Sequence, residues 1–146
     1  MSTKVQQSIT INQPIEKVFA YLTDSRNVTK WQTAIIESRA SLEGPAQVGS
    51  KVTDVRTFIG QKMESTYEIT EVEPNAKMAF KSISGPFPYQ GAITFQALGN
   101  ATELTFAIEM EPKGFFKLAE GMLAGNMNKE LEGDLGRAKQ LLEAEG

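Results

Sequence analysis

Asp54 and Arg56 stand two residues apart in a strand-like run that opens at Gly49-Ser50 and ends at Ile59, so alternation puts both on one face with Val52 and Phe58. Facing water they make a solvated pair. Facing inward, the acid and the cation would balance each other's burial cost and could fix the polar group of a bound molecule. Tyr67, and Tyr89 directly after Pro88, would add hydroxyl contacts. If the chain catalyses a reaction, Asp54, Arg56 and Tyr67 are the candidates to move protons. Periodicity does not choose the inward face, because Val55, Thr57 and Ile59 make the opposite side equally apolar.

What is missing narrows the chemistry further. The chain has no histidine and no cysteine, which removes imidazole general bases, Ser-His and Cys-His nucleophiles, thiolate chemistry and His or Cys metal ligation. Its carboxylates lack the short-spaced clustering of calcium or magnesium loops, and Asn126-Met127-Asn128 has no ligand pattern. No metal and no cofactor are expected.

The elements that must position these residues are mostly strands. Lys4 to Ile11 alternates through Val5, Ile9 and Ile11; Asn12-Gln13-Pro14 then starts a helix whose stripe is Ile15, Val18, Phe19 and Leu22. A second short helix begins at the capping residue Asp24 and ends near Trp31. Ile36, Ser38, Ala40 and Leu42 alternate next, with Ile35 leaving the register of that strand open. After the strand that carries Asp54 come a turn at Gly60-Gln61 and a strand from Lys62 to Glu73 with Met63, Ser65, Tyr67 and Ile69 on one side. Lys77–Ile83 presents Met78 and Phe80, and Gly85-Pro86-Phe87-Pro88 interrupts it. A hairpin around Gly99-Asn100 joins Tyr89–Leu98 to Ala101–Glu111, whose Leu104, Phe106, Ile108 and Met110 alternate cleanly.

Pro112 to Gly146 reads as one long amphipathic helix, with Phe116, Ala119, Leu123, Met127, Leu131, Leu135, Ala138 and Leu142 at steps of three or four. Gly114, Gly121, Gly125, Gly133 and Gly136 interrupt it, and each interior Gly costs about 0.5–1 kcal/mol relative to Ala. Close packing, a bend or a deliberately soft segment would each explain them. A helix of that length overhangs a strand of ordinary length, so the sheet must curve around it.

At 146 residues and net charge −3, the chain suits one domain spanning residues 1–146, with no basic cluster for nucleic acid or anionic lipid. No apolar run is long enough to span a membrane, and the first residues lack a secretory signal, so a cytoplasmic location is expected.

Several segments together resemble a known family. They are Ile9 to Phe19, Leu22-Thr23-Asp24 with Trp31, Val48 to Val52, Phe58 to Gln61, Tyr67 to Pro74 and the Gly85–Pro88 segment. In order and spacing they resemble the START-like (SRPBCC) superfamily, within its bacterial polyketide cyclase/dehydrase-like branch. The resemblance implies an α+β helix-grip fold: a seven-stranded antiparallel curved sheet wrapped on a long C-terminal helix, with two short helices between strands 1 and 2. It also implies a deep cavity between sheet and helix. The superfamily mixes carriers, receptors, cyclases and chaperone activators, so a fold does not choose a reaction.

Within that frame the candidate wall of the cavity is Tyr67, Phe80, Phe95 and Phe106 from the sheet, with Phe58 beside Arg56. Phe116, Met122, Leu123 and Met127 would cover it from the helix, and Phe87, held between two prolines, would form a lip. Trp31, the one tryptophan, is either a packing anchor or part of the wall. Three functions follow: a module that binds or carries a small hydrophobic ligand, a cyclase/dehydratase-type enzyme using Asp54 or a tyrosine, or a protein that acts on a partner through an exposed apolar patch.

Overall fold

A computed structural model describes residues 3–58 and 60–145, with the side chain of Phe58 outside the described set. The chain runs β1 (Thr3–Ile11), α1 (Ile15–Thr23), a 3-10 turn (Ser25–Asn27), α2 (Val28–Trp31), β2 (Ile35–Ala40), β3 (Lys51–Phe58) and β4 (Gln61–Glu73). It continues with β5 (Lys77–Ser84), β6 (Tyr89–Leu98), β7 (Ala101–Met110), α3 (Phe115–Leu118) and α4 (Glu120–Ala144). The strands form one antiparallel sheet in the order β1-β7-β6-β5-β4-β3-β2. It curls around α4, with the short helices between β1 and β2, which is the helix-grip arrangement.

Local chemistry sets the boundaries. Pro14 precedes α1 in an extended conformation, and its carbonyl accepts from Lys17 and Val18 N–H groups at 3.1 Å, so the ring stands where no donor is needed. Asp24 caps the 3-10 turn by accepting the Arg26 N–H at 2.9 Å. The uncertain register of β2 resolves as a shift between Ile35 and Glu37. Ile35 is thereby buried and Ile36 exposed, whereas simple alternation would have put Ile36 on the face of Ser38 and Ala40. Gly60 ends β3 with a positive φ of 73°, as the tight turn into β4 requires. The predicted end of β3 at Ile59 lies outside the described residues.

The concave face is built from alternate residues of neighbouring strands. Val52, Ile69, Met78, Phe80, Ile93, Leu104 and Phe106 are buried there, and α4 meets them with Leu123, Leu131, Leu135, Ala138 and Leu142. Gly91 has less room for a side chain than any other described glycine. A Cβ there would lie 2.5 Å from the Ala107 carbonyl oxygen and 2.7 Å from the Phe80 ring, so the missing side chain lets Phe80 lie against β6.

The C-terminal helix differs from a single rod starting at Pro112. Gly114 has φ 57°, which a continuing right-handed helix does not permit, and Ala119 leaves helical geometry between α3 and α4. The far half of α4 is held firmly. Gln13 donates its side-chain amide to the Leu142 carbonyl at 2.7 Å, Lys139 donates to the Thr10 carbonyl at 2.7 Å, and Glu143 accepts the Asn12 N–H at 2.8 Å. A Cβ at Gly121, Gly125, Gly133 or Gly136 would meet nothing within 4 Å, so none of them is required for close packing.

Two substitutions separate these glycine roles in urea unfolding. Gly133→Ala is expected to raise stability by about 0.5–1 kcal/mol, because helix propensity changes and packing does not. Gly91→Ala is expected to lower it by about 1–3 kcal/mol, because Phe80 or β7 must move.

Candidate functional site

Between the concave sheet, the short helices and α4 lies a cavity of about 120 Å³. Its wall is mainly apolar. Trp31 contributes from α2; Tyr67, Phe80 and Phe106 from the sheet; Leu123 and Met127 from α4. Phe80 is the hub of the ring cluster, with centroids 5.1 Å from Tyr67, 6.1 Å from Phe106 and 6.3 Å from Tyr89. Edge-on contacts of this kind keep the rings in fixed orientations along the wall.

The polar groups that the sheet gives to the wall come from β3, β4 and β6, with Ser38 of β2 bonded to one of them. Cross-strand register aligns Ser38 with Asp54 and Asp54 with Ser65. Ser38 donates its hydroxyl to Asp54 Oδ1 at 2.6 Å. The hydroxyls of Ser65 and Tyr89 share a hydrogen bond of 3.0 Å. Arg56 does not pair with Asp54. Its Nη1 instead donates across to α4, to Glu130 Oε1 at 3.0 Å and Oε2 at 3.1 Å, with Met127 Sδ at 3.5 Å. One turn further along α4, Asp134 is buried and accepts the Thr33 N–H at 3.3 Å.

Burial controls the titration of these groups. It pushes the Asp54 carboxyl up, with the Ser38 hydrogen bond and the Arg56 charge pulling the other way. Glu130 is raised by the same burial, opposed by Arg56. Asp134 is raised to about 7, first by burial and then by the negative charge of Glu130, against the Thr33 hydrogen bond and Arg56. Burial raises the Tyr67 hydroxyl well above its ordinary range.

Both Asp54 and Arg56 therefore stand on the inner face of β3, the orientation that alternation left open. Phe87 and Tyr89 also reach the cavity. Three other candidates stand elsewhere. Phe95 is buried against Phe19 with ring centroids 5.1 Å apart, on the α1 side of the core. Phe116 packs on Phe87 at 5.2 Å and is not itself part of the wall. Met122 is 55% exposed, because the break at Ala119 turns the start of α4 so that Leu123 takes the inward position. The side chain of Phe58 lies outside the described residues.

Sequence reasoning missed Ser38 and Ser65 as partners of the polar wall, and it missed Glu130 and Asp134 altogether. A signal for the two carboxylates existed: positions 130 and 134 continue the stripe of Leu123 and Met127 at steps of three and four. Among the described residues, no group of three acidic side chains is placed to hold a metal ion. No described helix is long and apolar enough to cross a membrane.

Residues 2–143 match the family model described as polyketide cyclase/dehydrase and lipid transport. No curated protein matches the sequence. Among solved structures, TTHA0849 from Thermus thermophilus superposes with a TM-score of 0.86 at 18% identity, covering 99% of each chain. The ZhuI aromatase/cyclase from Streptomyces sp. R1128 gives 0.86 at 15% identity, covering 98% of this chain and 94% of the other. A START superfamily protein from Mycobacterium smegmatis gives 0.76 at 17% identity, covering 94% and 98%. At these identities the likeness is one of fold.

Asp134 makes the pH dependence of folding testable. Its pKa is higher folded than unfolded, so its contribution is fully present below the ordinary carboxylate range and is lost as pH rises through about 7. Asp134→Asn keeps an acceptor for Thr33 and removes the charge. The variant is expected to be more stable than the parent by about 1–3 kcal/mol at pH 8 and to lose that advantage by pH 5, as read from urea midpoints at each pH.

Proposed function

Since this chain belongs to the polyketide cyclase/dehydrase and lipid transport family, we propose that it binds or carries a small, largely apolar molecule in the cavity between the sheet and α4. The carrying observation is the cavity itself: an internal space whose wall is aromatic and aliphatic, with its charged groups, among the described residues, confined to β3. A dry cavity of about 150 Å³ is known to admit benzene, so the space as it stands suits one ring. A larger guest requires the cover to move, and the cover is the stretch from α3 to the start of α4, which Thr3 of β1 ties to the sheet through Glu120. Phe87 packs on Phe116 of α3, and Gly121 and Gly125 give the start of α4 backbone freedom at two points where no neighbour crowds it.

A second reading has one observation in its favour. Asp54 is a buried carboxyl on the cavity wall with a raised pKa, bonded to a neutral hydroxyl rather than a cation, which is the condition of a general acid or base in a cyclase/dehydratase-type reaction. Such a reaction would use the cavity to fold the substrate and Asp54, Tyr67 or both to move protons, with Arg56 as the nearby charge.

Titration with the neutral fluorescent probe N-phenyl-1-naphthylamine distinguishes a binding cavity from a merely imperfect core. Saturable binding is expected, with Phe106→Trp weakening it about tenfold by occupying the space. Gly121→Ala with Gly125→Ala is expected to slow probe exchange while raising stability by up to about 1 kcal/mol per site. Absence of saturable binding by the folded protein of both this probe and a one-ring ligand such as toluene would sink the proposal.

A further inference from the structure

We infer that the cavity selects neutral molecules bearing a hydrogen-bond acceptor, a carbonyl oxygen foremost, and that Trp31 is the residue that reads it. This rests on the cavity being a binding site and narrows the class of ligand that it takes.

The first observation is an unmade hydrogen bond. Trp31 is fully buried, packs on Phe106 at 6.2 Å and lines the cavity. Its indole N–H is buried with no partner among the described residues. An indole nitrogen can only donate, and a buried donor left unpaired is costly, so folded proteins rarely keep one without a use. Because the ring lines the cavity, the cavity is the nearest space from which an acceptor can approach this donor, with a small shift of the ring to meet it. Tyr67, on the facing wall, makes no described hydrogen bond through its hydroxyl and offers a second donor.

The second observation is the charge on the wall. Among the described residues, Arg56 is the one cationic side chain lining the cavity, and Glu130 already holds it through both carboxylate oxygens at 3.0 and 3.1 Å. Asp54 is the one acidic side chain among the described lining residues, and its bonded partner is the neutral hydroxyl of Ser38. An entering carboxylate thus meets an acid bonded to a neutral hydroxyl and a cation already committed, and it would be desolvated without repayment. A ketone or ester of the same shape loses far less on desolvation and gains the Trp31 bond.

Toluene, acetophenone and benzoate present one ring with no acceptor, a neutral acceptor and an anion. Calorimetry on the folded protein at pH 7 is expected to show acetophenone binding at least about tenfold more tightly than benzoate. The single tryptophan gives one indole N–H proton resonance, and acetophenone is expected to shift it downfield while toluene does not. Trp31→Phe should weaken acetophenone about fivefold and leave toluene within about twofold. Tighter binding of benzoate, which would mean that it displaces Glu130 from Arg56, overturns the inference. So does an indole signal that responds to acetophenone and toluene alike, a readout that holds even if Trp31→Phe fails to fold. Failure of toluene and acetophenone both to bind overturns the reading of the cavity as a site, and the inference with it.

Discussion

A single helix covers the concave face of a seven-stranded sheet, and that mismatch of areas governs the rest of the molecule. Close packing drives side chains to fill enclosed space, but one helix presents only a narrow stripe. Along the far half of α4 the stripe suffices: Leu131, Leu135, Ala138 and Leu142 are buried, and polar contacts to the end of β1 fasten the helix. Nearer its start Thr3 of β1 still reaches Glu120, but the rings of β4 to β7 do not fill the space beneath the helix. The cavity is what remains.

Electrostatics at the cavity follow from the same geometry. Arg56 projects inward because it alternates with Val52 and Asp54, and the carboxylate it meets across the gap is Glu130 on α4. That pair ties the helix to β3 beside the cavity. It also leaves Asp54 bonded to Ser38, and leaves Asp134 buried next to Glu130's charge. Replacing one of two paired charges would strand the other in a low-dielectric setting, so the bridge fixes where the helix lies more than it adds to stability. A buried acid, a buried indole donor and a committed cation are thus products of one placement of α4.

The opening turn of the C-terminal helix illustrates how local and global demands separate. Gly114 and the break at Ala119 detach α3 from α4, and the result exposes Phe115, Leu118 and Met122 while Leu123 turns inward. Heptad-like spacing alone treats Met122 and Leu123 as near equivalents, both close to the apolar stripe. A small rotation at the helix start decides between them. The glycines further along have a simpler reading, since no neighbour crowds them and the softness they confer has no packing cause.

The order of elements and several strand faces were legible in the chain itself, because alternation and helical spacing are local properties carried by residues such as Leu104, Phe106, Ile108 and Met110, and the resemblance carried by the order of its segments implied the helix-grip architecture. The absence of histidine and cysteine likewise bounded the chemistry before any fold was known. The site was only half legible. Val52, Asp54 and Arg56 share a face by alternation, but which face turns inward depends on the curl of the sheet and on α4 as a neighbour. That Arg56 bonds Glu130, 74 residues away, and that Ser38 bonds Asp54 across β2 and β3, arise from register and helix placement. The Trp31 N–H, without a partner among the described residues, is the clearest case, because whether a buried donor has a partner is a fact about three-dimensional neighbours and never about spacing along the chain.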